Sequence, residues 1–444
     1  MRTLLHKISL ASLCIAHFLL AHQAIGQEFL FSWIIEADDG NGAPENAVAV
    51  TNDVRSIGDQ MSSQALETLF PGEDFSNPNL VDIDANLNLR GVLIRAAFVD
   101  DSSELVISAP FLDSDLLFNG DDRDGSVELF EKWLRGEFQD AAVPDTALTE
   151  LLQELVAHSA VDPIAGNPNS LQTRMFEAAY FTGSSGVYRP SPNAPGADEW
   201  TGKDHFRAQV RYDRFKAGPW SGNVWEIGLD YQINFRNPKF AVLLDLPFTV
   251  SQTEGSESFL VSVGLGLQWR PTHWWNLTPS FRLGGAGSFK LGAVAIMANA
   301  NLTSSMRWEI GASQFSLGGL ELGTPDFELN IGNMFGWNGT FDDIVISDIR
   351  IAYELNNYAI RNGIDLTRRL NGRWLGGRPV VKLYFTDTWI LGSRLFLDHY
   401  NELGLQTGTQ SQTGGQWRDN LAFSAGWVFG NRYDALQLKL SYRF

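Results

Sequence analysis

The chain has 444 residues, of which 52 are acidic, 33 are basic and one is a cysteine. The length accommodates two domains. With a formal net charge of −19, nothing suggests nucleic-acid binding, which needs a basic stripe, and a lone cysteine, Cys14, excludes a disulfide framework within the chain.

Arg2 and Lys7 flank the start of a largely apolar run from Ile8 to Leu20, and Ala24 and Gly26 place small residues before Gln27. This is the pattern of a cleaved secretory leader over 1–26. Leu13 stands where a lipoprotein leader needs a small residue, so lipidation of Cys14 is not expected. The mature chain would then have no thiol and no cysteine metal site. Beyond the leader no run approaches the ~18 apolar residues of a membrane helix. An exported chain of this kind is either soluble or crosses a bilayer as a closed barrel, which exposes no strand edge to lipid.

Charge divides the remaining residues in two. Residues 27–200 carry 31 acids and 8 bases, whereas residues 201–444 carry 21 acids and 23 bases. The acidic part reads as a mixed α/β region over 27–181. Helical spacing runs from Ala49 to Phe70 and from Ala147 to Ala160, the latter through Leu148, Leu151, Leu152, Leu155 and Val156. Val127 to Trp133 is a further short helix, and Leu89 to Asp100 with Glu104 to Pro110 forms a hairpin. A linker rich in Gly, Pro, Ser and Asn closes the region, giving a boundary segment over 182–200. There is no internal repeat of the kind a β-helical stalk needs.

From 201 onward the sequence alternates apolar and polar residues in segments separated by turns, the pattern of transmembrane strands. His205 to Asp213 sets Phe206, Ala208, Val210 and Tyr212 against Arg207, Gln209 and Arg211. Val224 to Phe235, Ser258 to Arg270 and Trp275 to Gly284 repeat the alternation, and shorter candidates lie at 306–310, 327–333, 349–355, 381–385 and 421–429. Aromatic residues such as Trp225, Trp269, Trp275, Trp308 and Trp427 fall near segment ends, as interfacial girdles require. The last run places Leu436, Leu438, Leu440, Tyr442 and Phe444 on one parity. At about 20 residues per strand and connection, 201–444 holds roughly 12 strands, within a range of about 10 to 14. Longer connections at 215–223 and 250–257 alternate with short ones at 236–238 and 271–274, which assigns the former to the outside. If Phe444 sits at the periplasmic rim, however, the long connection 404–418 falls on the periplasmic side, against that pattern.

A chain ending on this strand and its aromatic resembles Gram-negative outer-membrane β-barrel proteins. The order leader, soluble region, linker and terminal barrel resembles the autotransporter type. The resemblance implies an all-β, antiparallel transmembrane barrel of about twelve strands, acting as membrane anchor and translocator for an N-terminal passenger. It also implies outer-membrane lipid as surroundings and the barrel-assembly machinery as a partner of the C-terminal strand. A lumen-filling helix of the kind such proteins carry could only be Ser170 to Phe181. The alternative reading is a porin-like channel for small solutes, with 27–200 as a periplasmic cap or plug.

Inward parity collects Arg207, Arg211, Arg270, Arg282, Arg307 and Arg350 against Glu226, Asp230, Glu309 and Glu354. These charges either pair across strands, each pair contributing little in a wet lumen, or attract anionic solutes or the acidic N-terminal region. Asp122, Asp124 and Glu131 occupy three positions of a calcium-loop pattern, but Gly120 stands at its first position and supplies no carboxylate. The preferred reading is an acidic turn in which Asp124 or Ser126 caps the next helix. Beyond the leader the histidines are His158, His205, His273 and His399. None stands at a spacing from a Ser or Asp that suggests nucleophile and base, so neither a catalytic site nor a cofactor is expected.

Overall fold

A computed structural model describes residues 29–443 apart from 39–44, 76–80, 99–101, 138–142, 185–203, 238, 289, 311–325, 342–343, 347–348, 373, 375–377 and 411–420. The expected leader, most of the linker and Phe444 therefore lie outside the described residues.

The N-terminal unit begins with a six-stranded sheet of order β2-β1-β3-β4-β5-β6, built from Phe31–Asp38, Glu45–Thr51, Asp82–Leu89, Val92–Phe98, Leu105–Ser108 and Leu116–Phe118 as β1 to β6. Alternation drives it. In β3 the parity of Ile83, Ala85, Leu87 and Leu89 is buried, while Asp82, Asn86 and their neighbours face out. The β3–β4 turn is Arg90-Gly91, with positive φ at both positions (52° and 99°), the backbone that matches strand twist and that glycine tolerates best. Helices α1 (Ser63–Leu69), α2 (Arg123–Leu134) and α3 (Asp145–His158) cover the sheet. Phe118, Phe130 and Trp133 pack together beneath them. The helix expected from Ala49 to Phe70 is corrected: Ala49 to Thr51 closes β2, two short 3-10 turns follow, and only Ser63–Leu69 is α-helical. β-branched Val48, Val50 and Thr51 favour the extended state there.

After α3, residues 159–170 form a buried connection, and α4 (Leu171–Ser184) follows. The rest is a closed antiparallel barrel of twelve strands. In chain order these are β7 (His205–Ala217), β8 (Trp220–Asn234), β9 (Phe240–Thr253), β10 (Ser256–Trp269), β11 (Trp275–Ser288), β12 (Ala293–Ile310) and β13 (Asp326–Thr340). A two-stranded hairpin outside the barrel, β14 (Ile344–Ile346) with β15 (Ile349–Ile351), interrupts the series. The barrel then continues with β16 (Asn356–Arg369), β17 (Arg378–Gly392), β18 (His399–Gln410), β19 (Leu421–Gly430) and β20 (Tyr433–Arg443). β20 pairs with β7, from Tyr433↔Ala217 to Arg443↔Arg207, so no edge remains open.

The burial pattern runs opposite to that of the N-terminal sheet. Phe259, Val261, Val263, Leu265 and Leu267 of β10 face outward, and Ser258, Ser262 and Gln268 face the lumen. The outward face is the apolar band of a membrane-spanning barrel. Among the described residues no helix is long and apolar enough to cross a membrane.

Two corrections concern connections. The stretches 215–223 and 250–257 are not long loops: the strands run through them to two-residue turns at Gly218-Pro219 and Glu254-Gly255. The segment Ile349–Leu355 is not a spanning strand, since β15 ends at Ile351 and belongs to the extra-barrel hairpin.

Candidate functional site

The barrel has two unlike rims. β7 begins and β20 ends at one of them, together with the connections 311–325 and 411–420; this is the strand-end rim. The other carries the turns at 218–219, 254–255 and 431–432 and the loop around β14–β15. The N-terminal unit sits on this second rim, as a cap.

Backbone hydrogen bonds tie the cap down: the Val54 N–H donates to Lys290 O at 2.8 Å, Phe396 to Val156 O at 3.0 Å and Leu397 to Gly166 O at 3.0 Å. A buried polar joint adds to them. Arg90 lies 3.0 Å from Asp162 Oδ2, and the Tyr353 hydroxyl donates to the same oxygen at 3.1 Å. Asp162 Oδ1 accepts from the Ile164 N–H at 2.9 Å. Burial drives the Tyr353 hydroxyl well above its ordinary pKa, so it stays a donor. The joint connects cap, connection and rim loop.

From this joint α4 descends through the lumen toward the strand-end rim. Leu171 and Met175 lie against Gly284, and Gly183 lies against Thr303 further along. The Ser305 hydroxyl donates to Ser184 O at 3.3 Å. The helix extends three residues beyond the expected Ser170 to Phe181. One side of it is apolar and rests on the wall of β11, β12 and β13, where Ala286, Ala295, Met297 and Met334 point inward. Gly332 and Gly363 are register partners on β13 and β16. The Tyr180 hydroxyl occupies the notch between them, and a Cβ at Gly332 would lie 2.6 Å from it.

The other side of α4 is charged. Glu177 Oε2 accepts from Arg211 at 2.8 Å and lies 3.5 Å from Arg174; its second oxygen is 3.7 Å from Arg361. Arg174 donates to Asp213 Oδ2 at 2.7 Å and to Asn169 at 2.9 Å. Arg361 reaches Glu402 at 2.8 Å and the hydroxyls of Thr386 and Thr388 at 3.1 Å. Arg174, Asp213 and Arg361 are less than 5% exposed. Buried charges of this kind hold only when every partner is present, so the network fixes the helix across the lumen.

Below the helix a cavity of about 350 Å³ faces the strand-end rim. Its charges pair across strands: Arg207 with Asp230 at 2.9 Å, Arg307 and Arg369 with Glu328 at 2.8 and 2.9 Å, and Lys382 with Asp365 at 3.3 Å. Phe181 of α4 carries Lys439 Nζ 3.7 Å and the Arg207 guanidinium 4.3 Å from its ring centre.

Of the expected lumen residues, Arg207, Arg211, Glu226, Asp230, Arg282 and Arg307 have lumen parity in their strands, and Arg270, one residue past the end of β10, is buried. Arg282 pairs with Asp245, and Arg270 donates to Gln268 at 2.9 Å. The side chains of Glu309 and Arg350 lie outside the described residues. Glu354 is corrected: it is exposed in the rim loop after β15 and does not face the lumen. Sequence reasoning missed Asp213, Asp245, Arg361 and Glu402, which no short spacing connects. On β20 the side chains of Leu436 and Leu440 are exposed on the outer face.

The acidic turn resolves differently from expectation. Asp122, not Asp124 or Ser126, caps α2, accepting from the Gly125 N–H at 2.7 Å. Asp124 accepts from the Ser63 N–H at 2.7 Å, and Glu131 from the Gly58 N–H at 2.6 Å. Burial raises the pKa of Glu131, the Gly58 hydrogen bond opposing that rise. The three carboxylates thus serve separate joints. His399 pairs with Asp387 at 2.7 Å across β17 and β18, and His158 with Glu154 at 3.0 Å along α3.

No family model and no curated protein matches the chain. Among solved structures it is similar to the β domain of the Bordetella autotransporter BrkA, at 14% identity and TM-score 0.41, covering 54% of this chain and 98% of that one. It is similar also to the translocator domain of the autotransporter NalP from Neisseria meningitidis, at 12% identity and TM-score 0.39, covering 62% and 96%. A third is the KdgM porin in complex with disordered oligogalacturonate, at 11% identity and TM-score 0.31, covering 54% and 99%. Autotransporter and porin barrels stand side by side in this comparison, and at these scores none adds to what the strand pairing establishes. The chain has the fold of an outer-membrane β-barrel, closed from twelve antiparallel strands.

Proposed function

We propose that the barrel is an autotransporter-type anchor and translocator for the N-terminal unit, in the outer membrane of a Gram-negative bacterium. One observation carries this reading: the chain passes through its own barrel. The cap lies at one rim, α4 crosses the lumen, and β7 starts at the opposite rim. With the ends of β7 and β20 on the periplasmic side, where the assembly machinery would take up β20, the cap is the exported part. Glu177 and its arginines then hold the finished helix as a seal. On this reading the protein is not an enzyme, and its surroundings are outer-membrane lipid.

A second reading has its own support. The strand-end rim bears the connections 311–325 and 411–420, while the cap rim has two-residue turns at three places. Outer-membrane barrels place longer loops outside, which would turn the molecule over and make the cap a periplasmic plug of a porin-like channel for small solutes. Protease added to intact cells distinguishes the two. Cleavage within 39–44 or 138–142 supports export; protection on intact cells with cleavage after permeabilisation supports the plug.

A further inference from the structure

The lipid-facing surface is not uniform. On β7 to β11, β19 and β20 the outward residues of the middle span are apolar, as in β10 from Phe259 to Leu267. On β12, β13, β16 and β17 the middle of the outward parity is interrupted once each, by Ser304, Asn333, Asn362 and Asp387, and on β18 it carries Asn401 and, further along, Thr407. Of these, Ser304, Asn333, Asn362, Asp387 and Asn401 are consecutive register partners: Ser304↔Asn333, Asn333↔Asn362, Asn362↔Asp387 and Asp387↔Asn401. They form one polar row across five neighbouring strands, and because strands tilt in a barrel the row runs obliquely from near one rim to near the other.

Two of the outer members are satisfied by the barrel itself. Ser304 accepts from the Trp275 indole at 3.0 Å. Asp387 accepts from the Trp389 indole at 3.0 Å and pairs with His399. The central two are different. Asn333 donates to Asn362 Oδ1 at 2.7 Å, and both side chains are exposed. That bond uses one donor and one acceptor site of a pair of carboxamides that offers several of each. Asn333 lies six residues from Phe327 and four from Trp337 on the outward parity of β13, roughly 15 and 10 Å along the membrane normal for a strand tilted by ~40°. Apolar Ile331, Phe335, Ile360 and Ile364 surround the pair. It therefore faces hydrocarbon, which offers no hydrogen-bond partner.

We infer that this row is a contact for a second copy of the chain, centred on Asn333 and Asn362. Carboxamides are self-complementary, each offering donors and acceptors, so the patch can pair with its own copy about a two-fold axis. Two identical oblique rows placed face to face cross as an X and meet at their centres, where the unsatisfied groups are. The inference rests on the barrel spanning a membrane and is independent of which rim faces outward.

Cys14 is the only cysteine, so Cys14→Ser provides a thiol-free full-length background. Single cysteines at Ile331, Phe335, Ile360 and Ile364 surround the pair, and Leu265→Cys on β10 probes the far side of the barrel. Oxidation of outer membranes with iodine, which partitions into lipid, is expected to give a disulfide-linked product of twice the chain mass from at least one of the four positions and not from Leu265. Adding Asn333→Leu and Asn362→Leu, which suit a lipid-facing site, should cut that yield at least tenfold while heat-modifiable migration shows the barrel still folded. Equal yield from Leu265, unchanged yield in the double leucine variant, no dimeric product from any of the four, or an adduct with a different protein would each overturn the inference.

Discussion

The cap and the barrel are built from the same period-two pattern and bury opposite halves of it. In β3 of the cap Ile83, Ala85, Leu87 and Leu89 are buried and the aspartates face water; in β10 of the barrel Val261, Val263 and Leu265 are exposed and the serines are buried. Alternation thus fixes that a strand has two unlike faces but not which one is inside. Closure decides that: a sheet with an uncovered apolar face needs lipid, whereas a sheet covered by α1 to α3 needs none.

The largest test of this contrast concerns the seal between the two regions. Glu177→Ala leaves Arg174, Arg211 and Arg361 without their shared carboxylate in a buried site, a loss of about 3–5 kcal/mol. The full-length variant in planar bilayers should show conductance that the parent lacks; equal conductance would mean that the charge network does not hold the helix. Next comes the outer face. Val263→Arg puts a charge in the middle of the lipid band and should cost about 2–4 kcal/mol of folding into bilayers, measured by urea titration in vesicles. Leu93→Arg, on a cap side chain that is 64% exposed, should change stability by no more than about 0.5 kcal/mol. Similar effects at the two sites would erase the contrast.

The smallest effect is a pH dependence confined to the cap. Burial raises the Glu131 pKa above its value in the unfolded chain. The folded state therefore holds this proton more tightly, and the associated stability is present at low pH and lost as pH rises through the raised value. Glu131→Gln keeps an acceptor for Gly58 and should flatten the slope of the cap's urea midpoint on the alkaline side of the ordinary glutamate pKa. An unchanged slope would assign that dependence to other carboxylates.

Much of the barrel was legible, and the gaps have causes. β8 and β10 alternate cleanly because their inward residues meet water or polar groups. The first part of β12 does not: Ala293, Ala295 and Met297 face inward as apolar residues because the cap and α4 cover them, so both faces look alike and only 306–310 stood out. β9 was missed for a related reason, its inward Ala241 and Leu243 being buried and apolar. β16 and β18 were hidden by the polar row, since Asn362 and Asn401 interrupt the outward parity. In the candidate site the inward arginines could be read from alternation. Their partners could not, because Glu177 meets Arg211 and Arg361 only once the helix is inside and the strands are in register.

Threading is the central claim, and a cross-link tests it most directly. A Cβ at Gly183 would lie 2.6 Å from Thr303 Cβ, so with an adjustment of about 1 Å a Gly183→Cys, Thr303→Cys pair reaches disulfide geometry. Oxidation of the full-length Cys14→Ser background in native membranes should lock helix to wall nearly quantitatively, seen as altered mobility after denaturation. Two free thiols that react fully with a bulky, membrane-impermeant maleimide would place the helix outside the lumen and contradict the account.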